Sequence, residues 1–208
     1  MGKDKSWLAP LTGVAFFVLA ILAFVISGEP PDATKDSAQE IVDFYVDNQG
    51  RQIAGAILAT IAGTLFVFFG GCLRRVLRDA EGAGGILSSV AFAGMIIFAL
   101  GLALDGTITF ALADTADDID PTAVQALMAL YNYDFLPFAM GIQIFLFATG
   151  ISVVRHGALP KWIGWIAILI AVIAVTPIGF AAFIGAGILV LIMSVMLTMR
   201  GRSASAAR

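Results

Sequence analysis

Apolar positions along this chain fall in long uncharged blocks, not in the two-residue alternation of a half-buried strand. Leu8–Ser27 holds 20 residues without a charge, Gln52–Leu73 holds 22, Ile86–Leu104 holds 19 and Phe135–Val154 holds 20. A helix rising 1.5 Å per residue crosses a hydrocarbon core of about 30 Å in about 20 residues. Each block therefore predicts one membrane crossing. A fifth block, Trp162–Met199, runs 38 residues without a charge. As one helix it would be about 57 Å long, too long for a single crossing. Thr176-Pro177-Ile178-Gly179 supplies a turn, which divides the block into a short span over 162–176 and a full one over 178–199. The expected fold is all-α, a six-helix transmembrane bundle forming a single integral membrane domain over residues 1–208. Leu8–Ser27 also resembles a secretory signal with Val25-Ile26-Ser27 as its cleavage site, but the apolar run is long enough to favour a retained helix.

The polar stretches 28–51 and 105–134 each predict a short amphipathic helix on the outer face of the bundle. In the first, Pro30 and Pro31 break the preceding helix, and Ser37 with Glu40 forms a capping box. Asp36, Glu40, Asp43 and Asp47 share one helical face, while Ile41, Phe44 and Tyr45 occupy another. In the second, Asp120 reads as an N-cap with Pro121 at the first helical position. Val124, Leu127, Met128 and Tyr131 follow at helical spacing. Asp105-Gly106 interrupts the third block. The pattern fits both a helix that stops there and one that projects onward to Ala113.

Composition agrees with this pattern. Of 208 residues, 60% are hydrophobic and 13% charged, with a mean hydropathy of +0.95. A soluble domain carries about a quarter charged residues. Charge also sets an orientation. With six spans, ten of the twelve basic residues and three acids fall on one side, leaving +7. The other side holds Lys35 and Arg51 against twelve acids, leaving −10. The positive-inside rule then predicts a multi-pass plasma-membrane protein with both termini cytoplasmic.

Candidate chemistry is sparse. No span contains Asp, Glu, Lys, Arg or His, the groups that serve intramembrane proton coupling and hydrolysis. Cys72 and His156 are the only residues of their kinds, which leaves little material for a disulfide or a histidine metal site. The stretch 74–85 reads as a short basic loop, and it lacks the Lys-Ser/Thr ending of a phosphate-binding loop. Asp114–Asp120 lacks the alternation and the glycine of a calcium loop, and reads as a solvated acidic stretch. No catalytic residue, cofactor, metal or nucleic-acid partner is expected.

Structural and interaction roles remain. Gly55, Ala59 and Gly63 recur every four residues and would let another helix approach closely. Gln143 and Thr60 each lie about 12 Å inside their spans, which predicts that Gln143 faces the bundle, with Thr60 as a candidate hydrogen-bond partner. Arg51 precedes the second span and Asp105 ends the third, which predicts an ion pair at the outer mouth of the bundle.

Four stretches together, SAQEIVDFYVDNQGRQIAGAIL, FGGCLRRVLRDAEG, ATGISVVRHGALPKWIGW and the closing Pro177 span ending in Arg200, resemble an uncharacterised family of polytopic membrane proteins common in actinobacteria. The resemblance covers nearly the whole chain and brings no activity, cofactor or catalytic residue with it. Two functions are consistent with the sequence: a non-enzymatic membrane protein that packs with itself or with partner membrane proteins, and a carrier or binder of an apolar or lipid-like molecule. A filled core favours the first, and an apolar cavity open sideways to lipid favours the second.

Overall fold

The computed structural model describes residues 6–174 and 180–206. The turn at Thr176–Gly179, the basic lead through Lys5 and Arg208 lie outside the described residues. A 3-10 segment, Ser6–Leu11, leads into α1 (Thr12–Ser27). Then follow α2 (Ala38–Asp47), α3 (Gln49–Glu81), α4 (Leu87–Thr115), α5 (Pro121–Asn132), α6 (Phe135–His156), α7 (Lys161–Ile173) and α8 (Phe180–Ala206). Five helical stretches are long and apolar enough to cross a membrane. The protein is an all-α membrane bundle.

The six larger apolar helices close a ring, in which α1 packs on α3, α3 on α4, α4 on α6, α6 on α7, α7 on α8 and α8 on α1. Phenyl rings fill its centre. Phe66 of α3 lies 4.5 Å from Phe16, 5.3 Å from Phe98 and 5.7 Å from Phe145, centroid to centroid. Phe98 continues to Phe138 at 5.6 Å. Around the outside, Phe24, Val25, Phe68, Leu100 and Trp165 are exposed. Apolar side chains outside and inside are what a lipid solvent permits, since lipid tails exert no hydrophobic drive toward the core.

Glycines set the closest crossings. A Cβ at Gly141 of α6 would stand 2.5 Å from the Phe98 amide nitrogen and 2.8 Å from the Phe98 Cα of α4. A Cβ at Gly94 would collide with the Phe145 amide nitrogen in return. Gly150 and Gly164 repeat the arrangement between α6 and α7, each Cβ falling within 3 Å of the other's carbonyl oxygen. Backbones touch at both crossings.

Two helices outrun the apolar blocks that encode them. α3 continues eight residues past Leu73, so Arg74, Arg75 and Arg78 ride on a helix instead of a loop, and the true connection is confined to 82–86. Arginine is a good helix former and no Gly or Pro intervenes once past Leu73 until Gly82, so charge ends the crossing without ending the helix. α4 likewise runs unbroken through Asp105-Gly106 to Thr115. At 29 residues it is about 43 Å long and projects beyond the bilayer core. α7 is the opposite case. Its 13 residues span only about 20 Å, less than a crossing, and it enters from the basic end while α8 returns there.

The projecting end of α4 anchors α2 and α5. Ile41, Tyr45, Leu112, Val124 and Met128 are fully buried together in a second, smaller core. The Ala33 amide donates to Asn132 Oδ1 at 2.9 Å, and Gln125 donates back to the Ala33 carbonyl at 3.0 Å. The expected caps form. Ser37 accepts from the Glu40 amide while Glu40 accepts from the Ser37 amide at 2.7 Å. Asp120 accepts from the Thr122 amide at 2.8 Å, ahead of Pro121. Two amphipathic helices thus sit on one end of the bundle.

Candidate functional site

A groove in the apolar surface lies between α3 and α4, in the half nearer α2 and α5. It has a volume of about 580 Å³ and is lined by Ala56, Thr60, Gly106, Thr107 and Ala111, with Ile57, Ile61 and Phe110 as its walls. Small residues make its floor because α3 and α4 nearly touch there. A Cβ at Gly106 would lie 3.3 Å from both the Ala56 carbonyl oxygen and Thr60 Oγ1. The floor hydroxyls are satisfied within their own helices. Thr60 donates to the Ala56 carbonyl at 2.9 Å and Thr107 to the Ala103 carbonyl at 2.7 Å. Thr115, which also lines the groove, donates to the Ala111 carbonyl at 2.8 Å. With those donors used, the groove offers shape and apolar area, with the Asp114 carboxylate as the charged group of its lining.

Thr60 therefore is in a candidate site, but not with the partner expected. No hydrogen bond joins Thr60 to Gln143 among the described residues, and Gln143 on α6 is half-buried. The hydroxyl finds an acceptor one turn back on its own helix, which costs no rotamer search and no close approach of α6.

The small-residue stripe does pack helices, inside the bundle. Gly55 is buried against Ser27 of α1, Gly63 against Leu102 of α4, and Ala59 is buried between these levels. A stripe enclosed by α1 and α4 is not available to a second molecule.

The expected Arg51–Asp105 pair also does not form. Arg51 Nε donates to the Ile26 carbonyl at 3.1 Å, and its Nη1 donates to Asn48 Oδ1 at 3.1 Å. Beside it, Gln52 donates to the Ser27 carbonyl at 2.8 Å. The last carbonyls of α1 have no partners within their helix and carry its partial negative charge, so a guanidinium one turn into α3 is captured there. The other base at this end is also engaged locally, since Lys35 pairs with Asp32 at 2.8 Å. That ammonium, with the Thr34 hydroxyl and amide, holds the Asp32 carboxyl far below the usual carboxylate range. Asp105 is left half-buried, within electrostatic reach of Asp134 and the Tyr45 and Tyr131 phenols. Among the described residues no three His, Cys, Asp or Glu side chains gather as a metal-binding group.

One polar site was missed in the sequence. Glu81, the last residue of α3, accepts from Ser88 Oγ of α4 at 3.0 Å and from Ser152 Oγ of α6 at 2.6 Å. Both serines are fully buried. Partial burial pushes the Glu81 carboxyl up, but bonds from Ser152 and from the Ser88 amide and hydroxyl outweigh it and hold the group below its ordinary value. The available signal was an acid embedded in an otherwise basic end, RRVLRDAEG.

The same end collects the other basic elements. Arg200 of α8 donates to the Ala158 carbonyl in the α6–α7 connection at 2.9 Å, and Gly201 rests against Trp7. The starts and stops of the helices are thus sorted into a basic end and an acidic end. No family model, curated protein or solved structure matches the chain.

Proposed function

We propose that this is a non-enzymatic, multi-pass protein of the cell membrane that associates laterally with itself or with another membrane protein through the α3–α4 groove. The groove itself carries the reading. It presents Thr60, Gly106, Thr107 and Ala111 outward between ridges of Ile57, Ile61 and Phe110, the relief into which a helix packs closely in lipid. The centre of the ring is occupied by phenyl rings, which places the usable concavity on the side. A likeness to actinobacterial polytopic proteins of unknown role fits this reading and adds no chemistry to it.

The sideways opening of the groove also favours a second reading, capture of an apolar or lipid-like molecule. Filling the groove separates the two. Native mass spectrometry of the wild type in mild detergent is expected to show a dimer or a complex with a second membrane protein, and Ala111→Trp is expected to return it to a monomer. If instead Ala111→Trp removes a small-molecule adduct while the assembly is unchanged, the binder reading replaces the first. A wild type that is monomeric and adduct-free overturns both.

Orientation belongs to the same proposal. We place six crossings in the membrane, counting α7 and α8 as an in-and-out pair, with both termini in the cytoplasm. The support is the sorting of Arg74, Arg75, Arg78, Arg155, Lys161 and Arg200 to one end. In a Cys72→Ser background, cysteines at Thr34 and Asp118 should react with an impermeant thiol reagent in intact cells. Cysteines at Ala83 and Ser203 should react only after lysis. Labelling of Ser203→Cys in intact cells reverses the assignment.

A further inference from the structure

At the basic end of the same two helices lies a second concavity, of about 550 Å³, lined by Arg74, Arg78, Asp79, Ser89 and the Gly82–Gly85 turn. We propose that it binds the phosphate of an anionic phospholipid headgroup.

Arg74 and Arg78 are one helical turn apart, so their guanidinium groups share a face. Neither has a carboxylate within ion-pair distance, since the one ion pair among the described residues is Asp32–Lys35. Two like charges at this spacing repel and call for a counter-ion. The acids nearby do not serve. Glu81 is turned away onto Ser88 and Ser152, and Asp79 lines the concavity without pairing to either arginine, so the site holds two cations against one acid.

The geometry is prepared for an anion. Arg74 is held by two contacts, its guanidinium lying 5.7 Å from the centre of the Phe92 ring and its Nη2 donating to Ser89 Oγ at 3.3 Å. These contacts hold the guanidinium beside the concavity. Arginine presents several donors in a planar fork matched to phosphate oxygens. Gly82 and Gly84 take φ values of +72° and +95°, so the turn exposes backbone with no Cβ between it and a ligand.

Position favours a lipid over a free ion. Arg74 follows directly on the uncharged run ending at Leu73, the level at which headgroup phosphates lie. Toward the bilayer, exposed Phe68, Gly71 and Val90 continue from the concavity, and nothing lies within 4 Å of a Cβ built at Gly71. An acyl chain can follow that surface. Basic recesses of this kind between membrane helices suit anionic headgroups. The site is at the opposite end of α3 and α4 from the lateral groove and does not depend on what fills that groove.

The test is native mass spectrometry of the full-length protein in non-ionic detergent, titrated with dioleoyl phosphatidylglycerol or with dioleoyl phosphatidylcholine. The wild type should retain the anionic phosphatidylglycerol preferentially. Arg78→Gln, a change at an exposed side chain that leaves the packed face alone, should weaken that retention roughly fivefold, and Arg74→Gln/Arg78→Gln roughly twenty-five-fold. Arg75→Gln, exposed but outside the concavity, should change it by less than about twofold. Equal retention of both lipids overturns the site outright, and an Arg75→Gln loss as large as that of Arg78→Gln overturns it in favour of general surface charge. An Arg78-dependent rise in melting temperature with inorganic phosphate, without any lipid preference, overturns the lipid assignment in favour of a free anion.

Discussion

Gly141→Leu is expected to abolish the folded bundle, or to destabilise it by about 3 kcal/mol or more, whereas Gly71→Leu leaves melting unchanged. The two substitutions add the same side chain to a membrane helix and differ only in what it meets. At Gly141 the first carbon already falls 2.5 Å from the Phe98 amide nitrogen and 2.9 Å from the Gly94 carbonyl oxygen, both backbone atoms of α4. A side chain cannot rotate away from backbone, so α4 and α6 must separate. Separation breaks the ring where α4, through α3 and α6, links α1 to α7. Lost close packing in lipid is not offset by hydrophobic gain, because tails and side chains are equally apolar. Gly94→Leu meets the same wall from the other side. Gly71 faces open space, so leucine there adds helix propensity and a lipid contact. Size-exclusion profiles after stepwise heating in detergent read the difference. A Gly141→Leu protein that melts within about 2 °C of the wild type would mean that this crossing does not hold the bundle together.

These glycines mark the boundary of what was legible in the sequence. The crossings and the all-α class follow from uncharged runs, because lipid requires every backbone group to be bonded within its own helix. Caps at Ser37 and Asp120 were legible for a similar reason, as they depend on residues three or fewer positions away. Partner choice was not. Gly94 and Gly101 stand seven apart on one face of α4 and both meet α6, but nothing in α4 names α6 as the neighbour. The stripe at Gly55 and Gly63 was visible, and its enclosure by α1 and α4 was not. Arg51 shows the general limit. Ranking its partners by charge selects Asp105, while the helix end at Ile26, on α1 and 25 residues away along the chain, carries no charge in the sequence and wins. A helix end failed likewise at Arg74, where charge was read as the start of a loop, and at Asp105 the sequence left a stop and a projecting helix both open. Helices end for want of backbone partners or at Gly and Pro. Gly106 sits mid-helix because α3 passes close to it.

Glu81→Ala is expected to cost about 2–3 kcal/mol, a large effect for one side chain near the membrane surface. The carboxylate joins three helices through two buried hydroxyls, Ser88 on α4 and Ser152 on α6. Removing it strands both donors, and hydrogen bonds to a charged acceptor are about twice as strong as neutral ones. It also lies at the start of α4, where negative charge complements the helix dipole and where no side chain of the preceding residue caps the helix. Glu81→Gln keeps one acceptor and loses the charge, so an intermediate loss is expected. Ser88→Ala/Ser152→Ala should remove most of the additional penalty in the Glu81→Ala background, because no donor is then left unpaired. The pH dependence has a defined sign. Glu81 is held below its ordinary value in the folded protein, so the unfolded chain binds its proton more readily. Its contribution is complete above the ordinary carboxyl value, about 4.3, and is lost as the pH falls through the lower folded value. Melting of the wild type in detergent should therefore decline more steeply below about pH 4.3 than that of Glu81→Gln. Superimposable wild-type and Glu81→Ala melting curves at pH 7 would show that the three helices are held at this end by apolar packing alone.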